Sequence, residues 1–409
     1  MRLIADLHIH SHYSRATSPQ TDLPNLAHWA KVKGIDVLGT GDFTHPRWFA
    51  ELKANLVPEG NGLYTYAGVR FMLTAELSAI WSQGGKVRKV HLLILAPSLE
   101  AVARINQELG RIGNLTADGR PTFGSSAIKL VEIIWSAAPD AVVIPAHAWT
   151  PWFSVFGSRS GFDTLAECFG QYTDRIFAIE TGLSSDPPMN WRLSALDSIT
   201  LISNSDAHSP AKLGREATLF DLPAPSYDGM IDAMRSHDPK RFLGTIEFFP
   251  EEGKYHYDGH RTCGVVLPPR EAIKRGNLCP VCGRPLTVGV MHRVEDLADR
   301  PPDDVPTDRP PFRSLVPLPE IIAQALGTGV NTKGVSQEYD RLIKRFGSEF
   351  RILLDLPEEE LASGVPARIL DGIRKVRRRE LVIEPGYDGV YGTVKIPIEA
   401  EEPKQLELF

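Results

Sequence analysis

Cysteine is scarce in this chain: there are four in 409 residues, and three of them lie between Cys263 and Cys282. So sparse and clustered a set excludes a disulfide framework and reads as a metal site in a reducing compartment. Cys168 stands apart and reads as a small buried apolar residue. No apolar run approaches the roughly 20 residues of a membrane span, so no membrane association is expected. The basic and apolar segments of a secretory signal are also missing before the strand-like stretch at residues 2–7, which points to a cytoplasmic protein. There is no Walker loop, Gly-rich dinucleotide fingerprint or Ser-His-Asp arrangement to compete for a catalytic role. Nor is there an excess of positive charge: 45 Lys and Arg against 51 Asp and Glu give a net charge of −6. That balance does not exclude nucleic acid, because a local basic surface can be offset elsewhere.

What the chain has is histidine and carboxylate at the ends of apolar strands. In Asp6-Leu7-His8-Ile9-His10-Ser11-His12 two imidazoles at i and i+2 project from one face of a strand, so both can meet one ion. Strand candidates at 35–40, 70–75, 87–95, 141–145, 176–179 and 200–203 then deliver Asp42 with His45, Glu76, His91, His147, Glu180, and Asn204 with Asp206 and His208. Helices are expected from Asp22-Leu23-Pro24 to Gly34, over 99–109 and over 126–137. Alternating strands and helices predict a parallel sheet with its site at the carboxyl ends of the strands, and ligand-type residues after almost every strand favour closure into a barrel. One such residue alone is more often a surface or capping group. Seven at the same end of successive strands are a metal centre.

The series His8-x-His10, Asp42, Glu76, His91, His147 and Asp206-x-His208 resembles the PHP (polymerase and histidinol phosphatase) family of metal-dependent phosphoesterases. The resemblance implies a distorted (β/α)7 barrel over residues 1–250. It also implies that His8, His10, Glu76 and Asp206 hold one divalent ion, with Glu76 bridging to a second on His91 and His147. The family pattern has a histidine directly after the Asp of its second motif, where Phe43 stands here, and another several residues after His10, where Arg15 and Ala16 lie. Two ions are therefore expected; a third depends on His208 acting with His45 or Asp42. Mixed imidazole and carboxylate donors suit Zn²⁺, Mn²⁺ or Fe²⁺ and admit Mg²⁺. Such a pair activates a water and stabilises the oxygen that leaves a phosphodiester, with Asp206 or Asp42 expected to orient that water or take its proton.

Four aromatics follow His147 in a loop rich in Pro, Gly and Ser that runs to Gly161. Packing against the barrel rim competes there with a base-stacking platform of Trp149, Trp152 and Phe153, beside Ser158, Arg159 and Lys212 as phosphate donors. In residues 251–297, His260-x-x-Cys263 and Cys279-x-x-Cys282 have the spacing of two knuckles around one structural Zn²⁺, with His256 or His292 as alternative fourth ligands. Residues 300–313 read as a linker. The region 298–398 is expected to be mainly helical, with helices at 319–326, 336–346, 358–361 and 366–379. The last carries Arg374, Lys375, Arg377 and Arg378, a basic stripe suited to phosphates. The tail 399–409 ends in Gln405-Leu406-Glu407-Leu408-Phe409, which resembles the bacterial sliding-clamp-binding motif through Gln405, Leu406, Leu408 and Phe409.

Taken together, the stretches 6–14, 39–45, 147–161, 205–213 and 260–300 are similar to the endonuclease Q family. That resemblance implies an α/β PHP barrel, a zinc module and a helical DNA-binding domain in a nucleoid-associated repair enzyme acting on damaged single- or double-stranded DNA. It implies a nick 5′ to uracil, hypoxanthine, xanthine or an abasic site, leaving a 3′-hydroxyl and a 5′-phosphate that still bears the lesion. A PHP-type small-molecule phosphatase would explain the barrel but not the zinc module, basic helix or tail. A non-catalytic DNA- or clamp-binding adaptor would leave the intact ligand series without work.

Overall fold

The computed structural model describes residues 1–398. The strand Arg2–Asp6, buried from Leu3 onward, pairs in parallel with Val37–Gly39 and antiparallel with Ala217–Asp221. On one side the sheet continues in parallel to Val69–Gln83, then antiparallel to Lys86–Ala96 and Val142–Pro145. On the other, Ala217–Asp221 pairs antiparallel with Phe242–Glu247. A parallel pair, Ala178–Glu180 with Thr200–Ile202, bridges the two flanks. The Ala148 amide donates to the Glu180 carbonyl at 2.9 Å, and Ser203 Oγ donates to the Ile246 carbonyl at 2.9 Å. These links close a distorted barrel.

The expectation of a parallel sheet throughout needs correction. Val69–Gln83 and Lys86–Ala96 form one long antiparallel hairpin, joined by Gly84 and Gly85 at φ 60° and 74°. A two-residue Gly-Gly loop with both φ values positive matches the twist of a hairpin, and that signal was present in the sequence. The outer helices form where their caps put them. Asp22 accepts from the Asn25 amide to start Leu23–Lys33, and Gly34 ends it at φ 86°. Ser98 and Ser126 cap Leu99–Leu109 and Ala127–Ala137 in the same way.

The cysteine module is a small antiparallel pair, Asp258–His260 with Val265–Leu267, followed by helix Pro269–Lys274 and the Cys279–Cys282 turn. Its apolar core is Ala272, Cys279 and Leu286, too little to hold it without an ion. Helix Val290–Leu297 ties it to the barrel, because Arg293 donates to the Phe156 and Phe162 carbonyls at 3.0 Å. The expected linker is held down by Asp197, which pairs with both Arg300 and Arg309. Phe312–Ser314 then joins the barrel sheet beside Phe242–Glu247, over Gly244, where a Cβ would sit 1.8 Å from the Pro311 carbonyl.

The C-terminal region is helical as expected, with Leu318–Leu326, Lys333–Phe346, Glu358–Ala362 and Ala367–Arg378. It shares one apolar core with the barrel. A buried ion pair, Lys33 to Glu349 at 2.6 Å, joins the two parts, and Tyr339 Oη and the Leu318 amide complete the carboxylate's hydrogen bonds. Among the described residues no helix is long and apolar enough to cross a membrane.

Candidate metal centre and DNA-facing surface

Two donor groups meet at the carboxyl ends of the barrel strands and share Glu76. His8, His10, Glu76 and Asp206 form one, with ligand atoms within 4.8 Å of one another, and Glu76, His91 and His147 form the other. His8 and His10 lie just past the first strand, where Ile9 forms a parallel bridge with Ala207, and that bridge brings Asp206 beside them. His10 Nε2 is 3.1 Å from both Glu76 Oε2 and Asp206 Oδ1. On the far side of Glu76, Oε1 lies 2.6 Å from His91 Nδ1 and 3.1 Å from His147 Nε2. Asp42, His147 and Asp206 all have positive φ, at 47°, 31° and 46°. Backbone strain of this kind persists where the surrounding structure fixes it, and here it aims His147 and Asp206 into the donor space and sets Asp42 behind His10.

The residues fit a metal. His8 Nε2, His10 Nε2 and Asp206 Oδ1 are buried and have no hydrogen-bond partner, an arrangement that costs free energy unless a cation completes it. A layer behind the donors sets their tautomers. Glu180 accepts from His8 Nδ1 at 3.0 Å, from the His147 amide at 2.8 Å and from Asn204 Nδ2 at 2.9 Å. Asp42 accepts from His10 Nδ1 at 3.0 Å and from the Ser11 amide and hydroxyl at 2.7 Å. Each imidazole thereby turns its other nitrogen inward.

Electrostatics follow from this packing. Burial opposes charge on Glu76, yet His91, His8 and Arg120 hold its carboxyl well below the usual range. Asp206 is also held below it, since the closeness of the His10 ring and the charges of His8 and His10 outweigh burial. Burial dominates at His91 and lowers it to about 4, so its ring is neutral and free to ligate at neutral pH.

Several sequence-based assignments change. Asp42 is fully buried, and His10, Ser11 and Ser14 occupy its oxygens, so it orients His10 and cannot serve the reacting water. His208 falls outside both donor groups: its Nδ1 bonds the Asp206 carbonyl at 2.9 Å, and its ring lies part-exposed beside that of His10. His45 stacks on Tyr13 and opens helix Pro46–Asn55. Among the described residues His208, His45 and Asp42 form no third donor group.

Trp149 is 1% exposed and donates to Asn190 Oδ1 at 2.8 Å, which makes it a core residue and no platform for a base. Trp152, at 46% exposure, does face solvent near Tyr255. Phe153 packs on the His91 ring under the Lys89 ammonium. Ser158 and Arg159 are exposed, and Lys212 is exposed at 3.8 Å from Glu320. The basic stripe is mostly committed elsewhere. Arg374 pairs with Glu358, Lys375 with Asp371 at 3.1 Å, and Arg377 donates to the Leu353 and Ile352 carbonyls at 2.9 and 2.7 Å. Arg378 stays 60% exposed, 4.0 Å from Glu380.

In the cysteine module, His260, Cys263, Cys279 and Cys282 converge as one potential four-ligand site. The two alternative histidines do not: His256 is buried against Tyr257, and His292 donates to Asp258 at 2.6 Å. Cys168 is fully buried, which raises its thiol and leaves it inert. The clamp-type residues Gln405, Leu406, Leu408 and Phe409 lie outside the described residues.

Arg120 and the orienting role of Glu180 were missed in the sequence. Arg120 reaches the centre from the loop after Leu99–Leu109 and donates to Glu76 Oε2 at 3.0 Å. It follows a helix and belongs to no ligand-type pattern, and only the Asp118-Gly119-Arg120-Pro121 turn hinted at a shaped loop.

Against known proteins, the chain matches the crystal structure of the lesion-specific endonuclease Q from Pyrococcus furiosus at a TM-score of 0.87 and 35% identity, covering 97% of this chain and 96% of that one. The chain belongs to the endonuclease Q family. A second endonuclease Q, solved with a 27-mer duplex bearing an abasic lesion at its active site, matches at 0.85 and 34% identity over 99% of this chain and all of that one. Two family descriptions fall within the chain: PHP-associated at 191–239 and MJ0043 C-terminal domain at 317–380. The Methanocaldococcus jannaschii protein MJ0043, itself uncharacterized, is 30% identical over 270 residues, 64% of this chain. The chain spans about a third of that relative's length, 32%. The fold is thus a PHP-type α/β barrel with a cysteine-histidine module and a helical C-terminal region, and the enzyme class is a metal-dependent endonuclease.

Proposed function

We infer that this protein is a DNA repair endonuclease that hydrolyses the phosphodiester 5′ to a deaminated base (uracil, hypoxanthine or xanthine) or an abasic site. The observation that carries the reading is the pair of donor groups sharing Glu76, in a chain that follows endonuclease Q from end to end. The donor set suits two Zn²⁺ or Mn²⁺ ions, with Mg²⁺ as an alternative, and one structural Zn²⁺ on His260, Cys263, Cys279 and Cys282. Bound there, a metal pair activates water and stabilises the departing oxygen.

The chain's own residues do the rest. Asp206, held anionic, ligates and orients but is a weak proton acceptor. The water oxygen bonds to phosphorus as the bond from phosphorus to the 3′-oxygen breaks. One water proton is lost and one is gained by the 3′-oxygen, leaving a 3′-hydroxyl and a 5′-phosphate bearing the lesion. His208, part-exposed and bonded to the Asp206 carbonyl, is the residue positioned to relay that proton. Trp152 and Phe153 supply the aromatic surface for an unstacked base, and Arg159, Ser158, Lys212 and Arg378 the polar contacts to phosphate. The tail through Phe409 docks on a sliding clamp, which places the enzyme with the DNA in the cytoplasm.

The test uses end-labelled DNA carrying one uracil, hypoxanthine or abasic site, with undamaged controls, in Mg²⁺, Mn²⁺ or Zn²⁺. The expected result is a nick beside the lesion that Asp206→Ala abolishes. No cleavage in any metal, together with brisk turnover of a phosphomonoester, would return the assignment to a small-molecule phosphatase.

A further inference from the structure

We propose that Arg120 is a catalytic residue that Glu76 holds in reserve, and that its guanidinium transfers to the scissile phosphate when DNA and metal are bound. The inference rests on the endonuclease reading above.

The geometry is specific. Arg120 Nη1 is 3.0 Å from Glu76 Oε2, and the side chain is 26% exposed while Glu76 is 0% exposed. The guanidinium therefore spans from the open mouth to the floor of the site. Its backbone is clamped on both sides: the Gly119 amide donates to the Tyr13 carbonyl at 3.0 Å, and the Pro121 carbonyl accepts from the Ser78 amide at 3.0 Å. Gly119 itself lies so close to the His10-orienting group that a Cβ there would be 2.4 Å from both Asp42 Oδ2 and Ser14 Oγ. Thr44 Oγ1 donates to the Gly119 carbonyl at 3.1 Å and closes the clamp. The loop backbone is held by Tyr13, Thr44 and Ser78 and packs against Asp42 and Ser14 behind His10, so motion is left to the arginine side chain.

Charge decides where that side chain goes. Among the described residues Arg120 is the one lysine or arginine within ion-pair distance of either donor group's carboxylates. Arg215, though near Asp206 in sequence, is committed to the Ser205 and Asp206 carbonyls at 2.8 and 3.3 Å. Glu76 is the carboxylate common to both donor groups, so cation binding there removes the partner of Arg120. A guanidinium cannot shed its proton, and it must find another anion or face the cations unpaired. The anion that arrives at this mouth is the phosphodiester. Its two non-bridging oxygens match the planar fork of an arginine, and negative charge grows on them as the water oxygen adds to phosphorus. Glu76 in this scheme exchanges one cation for others, and Arg120 exchanges a carboxylate for a phosphate.

A structural arginine and a phosphate-gripping one differ in a measurable way. In the metal-free protein Arg120 competes with cations for Glu76, so Arg120→Gln should bind the first divalent ion tighter, by roughly tenfold for one charge-assisted hydrogen bond removed. The same variant should lose about 100-fold in single-turnover nicking of an abasic-site duplex. Arg120→Lys, which keeps the charge but not the fork, should fall between the two. The experiment is calorimetric titration of Mn²⁺ into wild-type, Arg120→Gln and Arg120→Lys proteins, with nicking rates measured at saturating metal and thermal unfolding as a check on folding. Tighter metal binding with slower nicking supports the proposal. Nicking by Arg120→Gln at the wild-type rate would overturn it, and so would weaker metal binding, which would make Arg120 an organiser of the ligands. Absence of nicking by the wild-type protein would instead fail the endonuclease reading.

Discussion

Glu180 should control metal affinity although it is not placed to touch metal. Both its oxygens lie within 3.1 Å of His8 Nδ1, and it also accepts from the His147 amide at 2.8 Å and Asn204 Nδ2 at 2.9 Å. One carboxylate thus supports a histidine from each donor group. In Glu180→Gln one of those oxygens becomes an NH2, which meets at least one donor head-on in a fully buried site. Leaving a buried donor unsatisfied costs about 1–3 kcal/mol of folding stability. Loss of the carboxylate behind a ligating imidazole lowers metal affinity by about 10–100-fold, or roughly 1.4–2.8 kcal/mol. The assay is calorimetric titration of Mn²⁺ or Zn²⁺ into metal-free wild-type and variant proteins, with circular dichroism to verify the fold. The larger loss is expected at the His8, His10, Glu76 and Asp206 group, because there the side chain bonds the imidazole itself. Affinity and stoichiometry unchanged within twofold, in a folded variant, would refute the argument that Glu180 sets the tautomer of His8.

The remaining predictions address other parts of the chain. Cys279→Ser should release the structural ion and unfold residues 260–286 locally, because the module's buried apolar core is only Ala272, Cys279 and Leu286, with Val265 and Leu267 partly buried against it; zinc content and proteolysis within this segment report it. Burial raises the Glu247 carboxyl to about 8, against hydrogen bonds from Thr181 and Ser203. The folded state therefore holds a proton there that the unfolded chain releases, and its contribution to stability is lost as pH rises from about 4.5 through 8. Glu247→Gln, which mimics the protonated acid, should unfold at a higher temperature than wild type at pH 9 and show little difference at pH 5. Leu408→Ala with Phe409→Ala should abolish sliding-clamp binding in a pull-down with purified clamp and leave nicking of short duplexes unchanged.

Much of the metal centre was legible because strand periodicity puts His8 and His10 on one side and because the strand ends share one rim. The first helix was legible through its Asp22 cap and Gly34 stop. The sequence could not separate a ligand from the group that orients it. Asp42 and Glu180 both follow strands, and only the path of the backbone shows that each faces the back of a histidine. Trp149 differed from Trp152 for the same reason, since burial depends on Asn190, forty-one positions away in the chain. The charge run at 374–378 concealed its partners, Glu358 and the carbonyls of Ile352 and Leu353, because they come from other elements. Arg120 arrived from a loop whose place over the centre is set by Tyr13 and Ser78, and neither contact has a local signature.

The most direct test of the endonuclease assignment is the chemistry of the cut ends. A duplex with a single abasic site or uracil would be incubated with purified protein and metal, and the two fragments weighed by mass spectrometry. The account predicts an upstream fragment ending in a 3′-hydroxyl and a downstream fragment that begins with a 5′-phosphate and keeps the lesion as its first nucleotide. Release of free inorganic phosphate, or cuts spread equally over undamaged positions, would contradict it.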